Sequence, residues 1–224
     1  MALKSISAPR RRLADEVYEQ LVNAIVNREI GPEDRLVQEK IAAELEISRT
    51  PVREALLRLE AEGVLSVANS GGFRLSQMSE EETLQLYQAR TAIEGQAARI
   101  LAAHADKATL DALRVLIQRE EALENPTTRD YFMANRNIHR ALMEATGNKF
   151  MLEMFDVIWS KARAFHLFAA IENADLSKSL GDHLSLVDAI ETGDRGHALE
   201  VLTAHIQSGF DLHVEGIRKT PIST

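Results

Sequence analysis

Two kinds of side chain in this sequence are spaced for chemistry. Arg49 and Arg53 lie one helical turn apart within Ser48-Arg49-Thr50-Pro51-Val52-Arg53-Glu54-Ala55-Leu56-Leu57-Arg58-Leu59. Val52, Leu56 and Leu59 fall on another side of the same helix, and that side is apolar. Forked guanidinium groups near a helix N-terminus can pair with the acceptors of base edges in a DNA major groove. Taken alone, the same pattern also describes a solvated basic face on a packed helix. The second kind is imidazole. His139, His183 and His205 each interrupt an apolar stripe of helical spacing. The stripes are Phe132, Asn135, His139, Leu142 and Thr146; Leu180, His183, Val187 and Ile190; and Ala198, Leu202, His205 and Leu212. Arg90 does the same within Leu86, Arg90, Ile93, Ala97 and Leu101.

Each histidine by itself reads as a hydrogen-bonded core residue. Three imidazoles and a guanidinium directed into one core need shared partners, because unpaired buried polar groups are costly. A divalent metal ion held by His139, His183 and His205, with an oxygen from Asn135, meets that need and leaves a position for water or a ligand oxygen. Zinc, nickel and manganese all suit this set. Arg90 beside it suits a small carboxylate effector, since its planar fork matches that group. His166, near the stripe Leu152, Phe155, Trp159 and Ala162, is expected to line the same cavity as a second effector contact. His104, His197 and His213 lie near helix ends or on less apolar faces and read as ordinary residues.

These groups need elements to hold them. Leu13, Val17, Leu21 and Ile25 predict a first amphipathic helix ending near Gly31-Pro32. A second runs from about Gln38 to Leu45, and Glu46-Ile47 leads tightly into the arginine helix. Thr50 is expected as its N-cap and Pro51 as its first helical residue. Val64 to Val67 and Phe73 to Leu75 read as strands around the turn Asn69-Ser70-Gly71-Gly72, a β-hairpin wing. Beyond Ser79 the pattern is helical throughout, at about 80–103, 106–124, 128–146, 148–171, 177–192 and 195–218. The fold class is therefore mainly α. A winged helix-turn-helix over 13–76 is followed by an all-α six-helix bundle over 79–218, with a flexible basic tail at 1–12 and a short C-terminal tail at 219–224. Arg10-Arg11-Arg12 reads either as a solubilising end or as a minor-groove arm.

Composition bounds the rest. The 224 residues are 45% apolar, enough for a core or two. There is no cysteine, hence no disulfide and no thiolate ligand. No run is long and apolar enough to span a bilayer, and Met1 to Arg12 lacks a signal-peptide core, so the expected setting is the cytoplasm, without membrane. The net charge of −8 is unevenly spread. Residues 1–75 hold 11 Lys/Arg against 12 Asp/Glu, and 76–224 hold 15 against 22. The first part is thus nearly balanced with local basic clusters, and DNA binding needs a local positive face rather than a basic protein.

With both halves read, the chain resembles the GntR family of transcriptional regulators, in the FadR subfamily whose second domain is of the FCD (FadR C-terminal domain) type. The resemblance rests on Leu36 to Glu39, Ile41-Ala42, Leu45, the run Ser48 to Leu56, and Leu59-Glu60-Ala61-Glu62-Gly63. In the second half it rests on Arg90 to Glu94, Ile138 to Leu142 with Gly147-Asn148, His183 to Ile190 with Gly193-Asp194, and Ala204-His205-Ile206. It implies a homodimer on double-stranded operator DNA, most often as a repressor, with a small organic acid setting affinity. It implies Arg49 and Arg53 as major-groove readers, Lys40 and Thr50 as backbone or base contacts, and Gly72 at the wing tip by the minor groove. It also implies a metal set of one Asp and three His, in which Asn135 stands at the Asp position. Two other functions fit the histidines: a metal-dependent enzyme fused to a DNA-binding module, and a pure metal sensor. Against the enzyme, no carboxylate shares the inward histidine stripes, although Glu94 near Arg90 is a candidate base.

Overall fold

A computed structural model describes residues 10–27, 29–31, 33–69, 71–76, 79–124, 126–159 and 180–219. His166 lies outside these residues, as do positions 160–179 of the helices predicted over 148–171 and 177–192. The chain divides into two compact units, Met1–Gln77 and Met78–Thr224. No helix among the described residues is long and apolar enough to cross a membrane.

In the first unit, α1 (Arg10–Val26) buries Val17, Tyr18, Leu21, Val22 and Ile25 at helical spacing. It starts three residues ahead of the predicted Leu13 and takes Arg10-Arg11-Arg12 out of the tail, because arginine is a good helix former and nothing there breaks the helix. The short α2 (Gln38–Glu44) is followed by α3 (Arg49–Ala61), which packs on both α1 and α2. Val52, Leu56 and Leu59 are completely buried, as their spacing predicts. The start of α3 differs from expectation. Its N-cap is Ser48 in extended conformation, with no side-chain cap bond, and Pro51 stands at the third helical position. Proline is tolerated there because the first four N–H groups of a helix have no intrahelical partner.

The strands β1 (Leu65–Val67) and β2 (Phe73–Leu75) pair antiparallel, with Leu65 opposite Leu75, Ser66 opposite Arg74 and Val67 opposite Phe73. The sequence pattern did not show a third member: Leu36 pairs antiparallel with Phe73 through two backbone hydrogen bonds of 2.8 and 2.9 Å. Gly72 adopts a left-handed φ of 79°, and a Cβ there would meet the Leu36 carbonyl oxygen at 2.7 Å. Its lack of a side chain is a condition of the close approach between the strands.

The second unit is all helical among its described residues: α4 (Glu80–His104), α5 (Lys107–Glu121), α6 (Thr128–Ala145), α7 (Lys149–Ile158), α8 (His183–Glu191) and α9 (Arg195–Lys219). Their starts are written in the sequence. Ser79 with Glu82, and Thr127 with Asp130, form capping boxes; Asp106 and Asn148 accept from the first-turn amides of α5 and α7. Leu101, Leu113, Ile117, Ile138, Val187 and Leu202 belong to one buried cluster drawn from five of the helices. Within α4 the inward face is rotated from the predicted stripe: Tyr87, Arg90, Glu94, Ala97, Ala98 and Leu101 are buried, whereas Leu86 and Ile93 are only half-buried. The rotation brings a carboxylate inward.

Candidate nucleic-acid interface and metal centre

The first unit presents its polar face through α3. With Val52, Ala55, Leu56 and Leu59 buried, the remaining side of the helix exposes Arg49, Thr50 and Arg53. Lys40 on α2 is also exposed. Arg49 does not stand alone: its Nη1 is 3.4 Å from Glu39 Oε1, an exposed pair, and Gln38 Nε2 donates to the Arg49 carbonyl oxygen at 3.3 Å. Such a pair contributes about 0–1 kcal/mol and is easily exchanged for another acceptor. Thr50, not being the cap, keeps its hydroxyl on the exposed first turn. Gly72 sits in the hairpin turn, half-buried, with the Leu36 carbonyl oxygen in the space that a side chain would take.

In the second unit, α6, α8 and α9 bring His139, His183 and His205 together, with ring-nitrogen ligand atoms all within 4.8 Å of one another. His139 and His183 are buried and His205 is half-buried. The hydrogen-bond network fixes which nitrogens face the centre. His183 Nδ1 lies 3.1 Å from Glu121 Oε1 and 3.0 Å from the Leu180 carbonyl oxygen, two acceptors that require an N–H there. In the neutral ring the lone pair is then on Nε2, which is buried with no hydrogen-bond partner. His139 Nδ1 lies 2.5 Å from Glu94 Oε2, which holds the proton on that side and turns Nε2 inward. His139 Nε2 and His205 Nε2 approach to 3.1 Å. Two imidazole nitrogens bonded to one zinc-like ion at about 2.0–2.1 Å each, near a right angle, stand about 3 Å apart, so the donor set fits a metal. Oriented imidazoles backed by carboxylates are the usual support of such a site.

The electrostatics agree with neutral ligands. Burial pushes His139 down to about 4, although Glu94 pulls the other way. Burial, then the neighbouring imidazoles, holds His205 well below the ordinary histidine range. Glu94 would be raised by burial, but Arg90 and His139 outweigh that and keep it ionised, below the usual carboxylate range.

Arg90 is buried and already engaged. Its Nε donates to Glu94 Oε1 at 2.9 Å, and its guanidinium lies 4.3 Å from the Trp159 ring centroid and 4.8 Å from that of Tyr87. Trp159 Nε1 donates to the same Glu94 oxygen at 3.1 Å. Asn135 is buried one turn before His139 on α6. The apolar cavity beside Glu94 and His139, lined also by Leu101, Leu142 and Leu202, measures about 10 Å³ and has room for one water rather than an organic acid.

Three polar groups take parts that the sequence pattern does not show. Glu94 stands near Arg90 in the sequence, but its contact with His139 comes only with the fold. Glu121 closes the α5 stripe of Leu110, Leu113 and Ile117, a helical spacing that could have revealed it. His213, read as an ordinary residue, is buried and bonded to Tyr87.

Residues 13–75 match the family described as "Bacterial regulatory proteins, gntR family", and residues 85–208 match the family described as "FCD domain". Among curated relatives, the "Probable D-xylose utilization operon transcriptional repressor" of Paenarthrobacter nicotinovorans is 28% identical over 88% of this chain and 87% of its own length. The "HTH-type transcriptional repressor GlaR" of Escherichia coli K12 is 24% identical over 84% of this chain and 90% of its own. The solved structure of E. coli McbR/YncC shares the fold, with a TM-score of 0.69 at 23% identity, over 94% of this chain and 99% of that one.

Proposed function

We infer the function from kinship: the chain belongs to the gntR family of bacterial regulatory proteins, with an FCD domain as its second part. That family is one of transcriptional regulators, not enzymes, and some of the relatives are named repressors. Its helix-turn-helix implies binding to operator DNA. The chain works in the cytoplasm as a homodimeric repressor on a near-palindromic operator, with one α3 in the major groove of each half-site. Arg49 and Arg53 read base edges, Lys40 and Thr50 bind the backbone or neighbouring bases, and the bare backbone at Gly72 comes close to the minor groove. The observation that carries this reading is the placement of Arg49 and Arg53 on the open face of a helix whose other face is wholly buried.

Control comes from the second unit. His139, His183 and His205, with the oxygen of Asn135, would hold a divalent ion. A neutral amide oxygen is a weaker donor than a carboxylate, so the three imidazoles carry most of the affinity. A bound ion supplies a positive centre whose open position a ligand oxygen can complete. The effector is a small carboxylate taken up between that centre and Arg90, which it would share with Glu94; His166, the second contact expected from the sequence, lies outside the described residues. A ligand that favours one arrangement of the reading units weakens operator binding, and by linkage the operator weakens the ligand equally.

Replacing Arg49 or Arg53 with alanine should weaken specific binding by about 1–3 kcal/mol in a gel-shift titration. Equal affinity for operator and scrambled duplex, in wild type and variants alike, would overturn base reading. The preformed imidazole triad also favours a second reading, a sensor of the metal alone. The two separate cleanly: a sensor changes operator affinity on adding metal, whereas the effector-controlled regulator needs metal and acid together.

A further inference from the structure

The wing turn Asn69-Ser70-Gly71-Gly72 contains no charged residue, yet a guanidinium is held against it. Arg35 is exposed and immediately precedes Leu36, whose two backbone bonds to Phe73 tie the segment ahead of α2 to the wing. Its Nε donates to the Gly71 carbonyl oxygen at 2.6 Å. The side chain runs along the turn: a Cβ at Gly71 would meet Arg35 Nη2 at 3.4 Å, and one at Gly72 would meet Arg35 Nε at 3.4 Å. Arg74, next to Phe73 on β2, is also exposed, so the residues flanking the Leu36–Phe73 bridge supply two arginines to the wing.

We propose that Arg35 is a DNA-binding residue, reaching the wing tip from outside the hairpin to bind a backbone phosphate together with Arg74. This rests on the DNA-binding reading above. The bond from Nε to Gly71 fixes the fork in place before DNA arrives, so little side-chain freedom is lost on binding. Arg35 therefore gives a wing without a basic turn its positive tip.

The probe is the duplex that wild-type protein enriches from a random pool, with binding measured by fluorescence anisotropy across a salt series. Each phosphate contact adds about 0.9 to the steepness of log affinity against log salt. Arg35→Gln is expected to reduce that steepness by about 1, Arg35→Lys to restore it, and Arg35→Gln/Arg74→Gln to lose about 2. Thermal unfolding of Arg35→Gln close to that of wild type would show that the charge, not the fold, was removed. An unchanged salt dependence in Arg35→Gln overturns the proposal while leaving DNA binding intact. So does a loss that disappears in the Arg74→Gln background, which would mean that Arg35 only positions Arg74. If wild type enriches no duplex, the DNA-binding reading itself fails, and this proposal with it.

Discussion

The lone pair on His183 Nε2 exists because two oxygens claim the other side of the ring. Glu121 and the Leu180 carbonyl both demand a proton on Nδ1, so the nitrogen facing the cluster is left bare. Removing that support while keeping the imidazole should therefore show in metal binding. Glu121→Ala is expected to weaken metal affinity about 10–100-fold, read by competition with a chromophoric chelator, with little change in helical content. A second prediction concerns His213. Burial lowers it to about 3, partly offset by its bond to the Gly209 carbonyl, so the fold favours its neutral form. The contribution to stability is complete above the ordinary histidine value of about 6.5 and is lost as pH falls from there toward 3, by at most about 1.4 kcal/mol per pH unit. Urea denaturation between pH 7 and pH 4 should show a shallower decline in His213→Gln than in wild type. An equal slope would mean that His213 does not titrate in this way.

Between α2 and α3 the chain turns through Glu46 at a φ of 53°, a left-handed conformation that L side chains adopt at a cost. Glu46→Gly should therefore stabilise the first unit by about 0.5–1 kcal/mol in chemical denaturation, after allowing for glycine's freer unfolded state. Gly72→Ala should do the opposite, since its methyl would press on the Leu36 carbonyl oxygen. Neither position could be weighed before the backbone was known. The elements themselves were legible because period and cap agree: Val52, Leu56 and Leu59 mark the buried side of α3, and the Ser79 and Thr127 capping boxes mark helix starts. The pattern is ambiguous where several residues could serve. Ser48 and Thr50 are both good caps by type, and the path of the preceding turn decides for Ser48. In α4, apolar Ile93 attracted the stripe, but the Arg90–Glu94 pair and the Trp159 indole make the neighbouring carboxylate the buried one. Of the candidate centre, the imidazoles could be read from spacing. The spacing also sets Glu121 on the inward side of α5, but which imidazole Glu94 and Glu121 each support is fixed only by how the helices pack.

The whole chain joins two units with separate cores, and ligands of one should be visible in the melting of that unit. Adding a divalent metal at 100 times its dissociation constant should stabilise the second unit by about 2.7 kcal/mol. A calorimetric trace is expected to show that shift for the second unit without a comparable one for the first, and to lose most of it in Glu121→Ala or with the metal chelated. The acidic surplus of residues 76–224 leaves attraction for DNA to the small basic face of the first unit. On that face the contact between Arg49 and Glu39 has a consequence for searching a genome. A stretch of arbitrary duplex offers Arg49 a phosphate in exchange for a carboxylate, nearly an even trade. A matching base edge offers two acceptors in the plane of the fork. On the proposed reading, Glu39 is an internal competitor that every duplex must displace. Glu39→Gln should therefore hold matching and arbitrary duplexes more tightly by a similar factor, so that each stop on the wrong DNA lasts longer.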